Sequence, residues 1–156
     1  MLSSSDRRIY IEKIRQLPSQ VRELVGELTD EQLYTHFLEG EWSVAQNVHH
    51  LVDSHMNTYI RMKLMLTEER PTLKPYDQAK WAELPDYQLP IETSLKLLEA
   101  LHERWTALFE SLSYEQWQHT GYHPEVGQIR VDDLLKSYAE HGEAHLDQIQ
   151  RTLAAQ

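Results

Sequence analysis

The chain has 156 residues, of which 40% are hydrophobic, and a formal net charge of −10 at pH 7. This size predicts one domain, residues 1–156, and the acidic charge argues against a nucleic-acid surface. The absence of cysteine excludes disulfides, thiolate metal sites and cysteine nucleophiles, while the lack of a membrane-length apolar run or a secretory leader predicts a cytoplasmic location.

Helical periodicity begins in the first part of the chain. Apolar residues recur mostly at steps of three and four through residues 6–27, which predicts a long helix. Pro18 lies inside this run and predicts either a kink or a division into two shorter helices. Residues 29–37 open with Thr-Asp, a helix-capping pattern, and predict a short helix.

A second long helix is predicted to start after Ser43 and to end before the prolines that follow it. Ser43 is a favourable N-cap, and Gln46 three residues later completes a capping box. Residues 70–90 contain four prolines and predict an irregular crossover, held to the bundle by Tyr76 and Trp81. We expect this crossover to let the second and third long helices run parallel.

The third and fourth long helices are predicted over residues 91–112 and 131–153, where apolar residues again follow a helical period. The connection between them, residues 119–130, is expected to be a loop with a short hairpin around Gly127. The predicted fold class is therefore all-α: a four-helix bundle with a long crossover between its second and third long helices.

Two histidines, His141 and His145, stand four residues apart in the sequence HGEAH. On a helix this spacing places both imidazoles on one face, with Cβ atoms about 5–6 Å apart, close enough to share one metal ion. Glu143 lies between them and points about 160° away from the pair, so it is a poor general base. Such a pair alone is more often a coincidence than a metal site, so a third ligand is needed.

A second histidine cluster lies in the second long helix. His49 and His50 point about 100° apart, so only one of them can join the pair, and spacing alone does not decide which. His55 falls on a different face of this helix. His123, beside Pro124 in a loop, is a candidate pocket residue. The remaining histidines are expected at the surface: His36, His102 and His119.

A row of polar side chains follows the second long helix beside its apolar stripe. The row consists of Gln46, His50, Ser54, Asn57 and Arg61. Polar groups this close to a core need partners, which a metal ion and a water-filled pocket would supply. The alternative is that the row belongs to the solvent-exposed face of the helix.

Several segments together resemble the DinB-like superfamily, and its YfiT branch most closely. They are WSVAQNVHHLVDSHMNTYIRMKLMLTEERPTLKPYD, KWAEL, ERWTALFESL, GYHPE and HGEAHLDQI, and they cover nearly the whole chain from Trp42 to Ile149. Members of this branch are described as metal-dependent hydrolases. The resemblance implies a four-helix bundle with a crossover, in agreement with the periodicity.

The resemblance also implies a set of metal ligands. The first ligand of the family is the histidine eight residues after the tryptophan, which matches His50, and the other two match His141 and His145. It implies a homodimer with one divalent ion per subunit, zinc or nickel, and water completing the coordination. It further implies an alternative activity, the transfer of a low-molecular-weight thiol, bacillithiol, onto electrophiles.

Three neutral imidazoles would leave a divalent ion its full charge and an open position. Such an ion either makes hydroxide available at neutral pH or deprotonates a bound thiol. Hydrolysis of a small molecule is therefore the predicted function, and thiol S-transfer is the alternative. The lack of an evident carboxylate base on the metal face favours the thiol. A metal-binding bundle without enzymatic activity is a third interpretation.

Four further residues are candidates at the site. Asp53 and Asp147 lie close in sequence to the histidines and are predicted to orient a ligand imidazole. Asn57 and Arg61 are predicted to hold the carboxylate of a substrate or of a thiol cosubstrate.

Overall fold

Four long helices form the frame of the computed structural model, which describes all 156 residues. In chain order the helices are α1 (Ser4–Val25), α2 (Asp30–Tyr34), α3 (Val44–Thr67), α4 (Gln78–Trp81), α5 (Ile91–Glu110) and α6 (Val131–Ala154). Single 3₁₀ turns lie at Pro85–Gln88 and Gln116–Gln118, and a hairpin of β1 (Thr120–His123) and β2 (Gly127–Arg130) precedes α6. None of the helices is both long enough and apolar enough to span a membrane.

Contacts between the long helices show their directions. α3 and α5 are parallel, because contacts advance together along both helices: His49 meets Ser94, and His55 meets His102. By the same comparison α1 is parallel to α6, as the pairs Arg7–Asp132 and Lys13–Glu143 show. It is antiparallel to α5, as Arg15–Glu110 and Arg22–Glu92 show. α3 is antiparallel to α6, as Asn47–His145 and Ser54–Tyr138 show. The predicted bundle with a parallel crossover is confirmed.

The apolar core divides into two clusters, and a polar layer lies between them. On α3 the first cluster ends at Val52 and the second begins at Met62. Several buried residues between these two are polar: Ser54, His55 and Thr58. On α6 the corresponding gap, residues 140–148, holds His141 and His145. The fold therefore brings the polar parts of both helices to the same level.

α1 is one unbroken helix, so of the two alternatives predicted at Pro18 the division into two shorter helices is wrong. Proline lacks the N–H that would bond the carbonyl of Ile14, one turn earlier. That carbonyl accepts instead from Nδ1 of His102 on α5, at 2.6 Å. A neighbouring helix replaces the missing bond, and α1 continues.

The crossover is held by a residue that the sequence analysis did not single out. Tyr87 is 3% exposed, and its hydroxyl donates to Oδ2 of Asp53 at 2.7 Å. Tyr76 and Trp81, which were predicted to pin the crossover, pack on each other with ring centroids 4.5 Å apart, and the guanidinium of Arg61 on α3 lies over the Tyr76 ring, 6.0 Å from its centroid. The predicted hairpin at Gly127 is confirmed, and this glycine has a φ of 83°, which a side chain would strain.

Candidate metal centre

Three histidine rings converge between α3 and α6. His50 comes from α3, and His141 and His145 come from successive turns of α6. The Nε2 atom of His141 lies 3.4 Å from Nε2 of His50 and 3.2 Å from Nε2 of His145. His49 instead contacts Ser94 of α5, with 2.7 Å between Nδ1 and Oγ. Of the two adjacent histidines, His50 is therefore the one that joins the pair.

The separations within this cluster fit tetrahedral coordination. Two imidazole nitrogens at about 2.0–2.1 Å from a zinc ion are about 3.3 Å apart at the tetrahedral angle. All three ligand atoms lie within 4.8 Å of one another. His50 is buried, whereas His141 and His145 are half-buried, so the cluster opens on one side. Three imidazoles and an open side suit a divalent transition-metal ion with a free coordination position.

Asn47 orients one of the three rings. Nδ1 of His145 donates to Oδ1 of Asn47 at 2.8 Å, and Nδ2 of Asn47 donates to the carbonyl of Ser43 at 3.0 Å. Because the amide oxygen only accepts, Nδ1 of His145 carries the proton and Nε2 keeps its lone pair. The sequence analysis missed Asn47, whose one signal was an amide three residues before His50 on the same helix.

His55 and His102 lie behind His141. Nδ1 of His141 is 3.1 Å from Nε2 of His55, and Nδ1 of His55 is 2.9 Å from Nε2 of His102. His102 is only 1% exposed, so the prediction that it lies at the surface is wrong, because α5 turns it toward α1 and α3. Of the other two histidines predicted at the surface, His36 is exposed and His119 is half-buried.

His50 is held by packing. Its Nδ1 is buried and has no hydrogen-bond partner. The ring of Trp42 meets it edge-on, with centroids 4.6 Å apart, and also stacks on His145 with centroids 6.4 Å apart. The indole therefore closes one side of the histidine cluster.

Burial keeps the three clustered rings neutral. Desolvation lowers the pKa of His50 and His141 to about 3 and the pKa of His145 to about 4. Repulsion from neighbouring histidines acts in the same direction on the first two. The neutral imidazole is the form that binds a metal ion. The cluster is therefore in its metal-binding form at neutral pH.

Two clefts meet at the histidine cluster. The Trp42 cleft has a volume of about 480 Å³ and is lined by all three histidines together with Glu41 and Trp42. The Arg61 cleft has a volume of about 720 Å³, and its lining includes Ser54, Arg61, Tyr76, His123, Tyr138 and His141. Both volumes suit a small organic molecule. His141 lines both clefts.

The Trp42 cleft contains a carboxylate that the sequence analysis missed. Oε1 of Glu41 pairs with Nη1 of Arg151 at 3.0 Å, while Oε2 is buried and has no hydrogen-bond partner. This residue lines the same cleft as the three imidazoles. The structure therefore adds one carboxylate to the lining of this cleft. Glu41 lies before the start of α3, so helical geometry gave no means of placing it.

The residues of the polar row on α3 make different contacts. Gln46 closes the N-terminal capping box, as its spacing predicts. Asn57 donates to the carbonyl of Asp53 and lines neither cleft. Only Ser54 and Arg61 of the row, besides His50, face the space around the cluster. Arg61 lines the Arg61 cleft, where its guanidinium donates to the carbonyl of Lys74, whereas Gln46 and Asn57 line neither cleft.

The two aspartates that were predicted to orient an imidazole contact other groups. Asp53 accepts from the hydroxyl of Tyr87. Asp147 is exposed and accepts from Nε of Arg151 at 3.1 Å. Both predictions are wrong in this respect, because the amide and the imidazole described above bond to the ligand rings instead.

Comparison with known proteins agrees with this arrangement. The model of the DinB superfamily matches residues 13–149. A protein of Oceanobacillus iheyensis, named "putative metal-dependent hydrolase", is 50% identical over 140 residues, which are 90% of this chain and 81% of the relative. A Bacillus cereus relative of the same name is 48% identical over 136 residues, 87% of this chain and 79% of the relative.

Solved structures give the same result. YfiT from Bacillus subtilis, described as a probable metal-dependent hydrolase with an unusual four-helix bundle topology, has a TM-score of 0.94 and 40% identity, covering 97% of this chain and 88% of its own. The mycothiol-dependent maleylpyruvate isomerase shares the fold, with a TM-score of 0.72 and 15% identity, covering 94% of this chain and 62% of its own. The chain belongs to the DinB superfamily and, within it, to the YfiT-like group.

Proposed function

We propose that this protein is a metal-dependent hydrolase of a small organic substrate, with one divalent ion, zinc or nickel, held by His50, His141 and His145. The observation that carries the proposal is the convergence of three neutral imidazole rings, with their Nε2 atoms together, beside an open cleft. A divalent ion lowers the pKa of bound water toward about 7 and polarises a carbonyl oxygen. The names of relatives at 48–50% identity support the same reaction class.

In this proposal Glu41 is the general base. Glu41 lines the Trp42 cleft, and we assign its carboxylate, whose buried Oε2 has no hydrogen-bond partner, to take the proton of the attacking water. Arg151 holds the other oxygen of the carboxylate and fixes its orientation. Trp42 covers the two ligand rings that it contacts and limits the access of further water.

Metal analysis of protein purified without a histidine tag tests the first step. We expect about one ion per chain in the wild type and none in His141→Ala, since two imidazoles bind far more weakly than three. If the wild type holds no ion and takes up none from added zinc or nickel, the proposal is wrong.

Hydrolysis of a panel of aryl esters and anilides, with and without the ion, tests the reaction. Glu41→Gln should lower kcat by about 10²–10⁴-fold with unchanged metal content. Glu143→Gln is the matched control, because Glu143 is exposed on α6 and pairs with Lys13 at 2.8 Å. Equal loss in both variants would remove Glu41 from the mechanism.

The alternative function is S-transfer, in which a low-molecular-weight thiol such as bacillithiol attacks an electrophile. The observation that favours it is the second cleft, because transfer requires two molecules at one position. A bound ion readily ionises a coordinating thiol, so this reaction needs no separate base. The guanidinium of Arg61 would pair with a carboxylate of the thiol.

The two functions respond differently to two substitutions. Hydrolysis depends on Glu41, whereas transfer does not. Arg61→Ala should raise the KM for the thiol and leave ester hydrolysis unchanged. Lys63→Ala is its control, because Lys63 is also a cation of α3 but packs over Tyr59 outside the Arg61 cleft. A thiol KM unaffected by Arg61→Ala would remove the binding role of Arg61.

A further inference from the structure

A line of hydrogen bonds joins the backbone of α1 to the histidine cluster. It starts at the carbonyl of Ile14, which Pro18 leaves free, and passes through His102 on α5 and His55 on α3 to His141 on α6. The successive distances are 2.6, 2.9 and 3.1 Å. The rings of His55 and His102 are stacked, with centroids 4.9 Å apart and planes 11° from parallel. All four long helices take part.

The first acceptor sets the direction of every proton in this line. A carbonyl oxygen only accepts, so Nδ1 of His102 carries a proton, and Nε2 of the neutral ring holds a lone pair. Nδ1 of His55 therefore donates to His102, which leaves a lone pair on Nε2 of His55. Nδ1 of His141 donates to that lone pair in turn. The remaining nitrogen of His141, Nε2, is bare and faces His50 and His145.

We propose that His102 and His55 are positioning residues that fix the Nδ1–H tautomer of His141 and present its Nε2 lone pair to the metal ion. The inference rests on the proposed function only in that the group bound there is a divalent cation. Engagement of the N–H also makes the ring a more basic ligand.

This line has a consequence for the cluster itself. Asn47 gives His145 the same tautomer, so two bare Nε2 atoms face each other at 3.2 Å. No proton lies between them, and two lone pairs at this distance repel. A cation placed between the two atoms converts this repulsion into two coordinate bonds, which is the arrangement that a metal site requires.

Zinc affinity, measured by competition with a chromophoric chelator, tests the proposal. His55→Leu removes the acceptor for His141 and should raise the dissociation constant of zinc by about 10–100-fold. His55→Gln is the conservative variant, because its amide oxygen can accept from Nδ1 of His141, and it should retain most of the wild-type affinity. Thermal unfolding of each variant separates loss of folding from loss of binding.

The tautomer is read directly by ¹⁵N nuclear magnetic resonance of histidine-labelled, metal-free protein near pH 7. We expect a protonated Nδ1 and a bare Nε2 for His141 in the wild type, and a shift toward the other tautomer in His55→Leu. This measurement needs no metal, so it decides the tautomer even if the wild type binds no ion and the proposed function fails. If His55→Leu does not fold, the spectrum of the wild type still shows which nitrogen of His141 carries the proton.

His49→Leu is the matched control. His49 is also a buried histidine of α3, but it bonds to Ser94 and to the carbonyl of Leu89, outside the line. It should leave both the zinc affinity and the tautomer of His141 unchanged. A folded His55→Leu with wild-type zinc affinity, or a proton on Nε2 of His141 in the wild type, overturns the proposal.

Discussion

α6 presents two unlike faces to its neighbours. Toward α1 it presents Gly142, where an added Cβ would lie 2.7 Å from Cδ2 of Leu17. Toward α3 it presents His141, one residue earlier, with hydrogen bonds behind it and clefts on either side. The first face is closely packed, and the second is polar and partly open. The packed face sets the position of the helix, and only then can the polar face hold its side chains at hydrogen-bond distances.

The largest expected effect is the loss of stability at low pH, which comes from the buried histidines on the polar face. Burial lowers the pKa of His55 well below its usual 6.5, the pKa of His102 to about 4 and the pKa of His141 to about 3. Below pH 6.5 the unfolded chain therefore binds protons that the folded chain does not. The free energy of unfolding of the metal-free protein should fall as the pH drops from about 6.5 to about 4, by on the order of several kcal/mol.

Urea unfolding at pH 7.5, 6 and 5 measures this loss. Saturating zinc should oppose it, because a metal held by the folded state alone adds to the stability of that state. A stability that stays flat across this range would mean that the buried rings do not resist protonation.

Gly142→Val tests the packed face. The new side chain meets Leu17 at the closest approach of α1 and α6 and should lower the free energy of unfolding by about 1–3 kcal/mol through overpacking. Ala144→Val is the matched control, because Ala144 is exposed on the same helix. Chemical denaturation of both variants gives the comparison. Because valine has a better helix propensity than glycine, a gain in stability for Gly142→Val would show that helix propensity, not packing, governs this face.

Asn47→Leu separates the two faces. It removes the acceptor for Nδ1 of His145 without touching the contact with α1. We expect the dissociation constant of zinc to rise at least about tenfold, as for other partners of ligand histidines. Chelator competition measures it. An unchanged affinity would mean that the orientation of His145 comes from packing against Trp42.

Asp147→Asn should have the smallest effect. Asp147 is exposed and bonds only to Arg151, so its substitution should change the free energy of unfolding by less than about 0.5 kcal/mol and leave zinc affinity unaltered. Thermal unfolding and chelator competition test this. A clear loss of zinc affinity would restore the predicted role of this aspartate beside the metal.

The helices and the pair His141 and His145 could be predicted from the sequence, because both follow from spacing within one helix. Apolar periodicity placed the four long helices, and the interval between His141 and His145 put both on one face. The choice of His50 over His49 needed the family resemblance. Adjacent residues differ in the direction of their side chains around the helix, and the spacing within α3 does not indicate on which side α6 packs.

The partners of the ligands could not be predicted, because they come from other segments of the chain. His102 is buried only because α5 packs against α1 and α3, and Glu41 precedes α3 where no helical period applies. Their positions depend on how the helices stack, which a pattern within one helix does not report.

Pro18 has a final consequence for the bundle as a whole. The carbonyl of Ile14 lacks its helical donor and accepts from His102 instead. Because the two groups meet at only one axial position of the helices, this bond fixes the position of α5 along α1. Sliding α5 by one helical turn, about 5.4 Å, would leave both groups unpaired inside the core. His55 is stacked on His102 and takes its height from it. Pro18, which contacts none of the three clustered rings, thereby determines where along the bundle axis those rings come together.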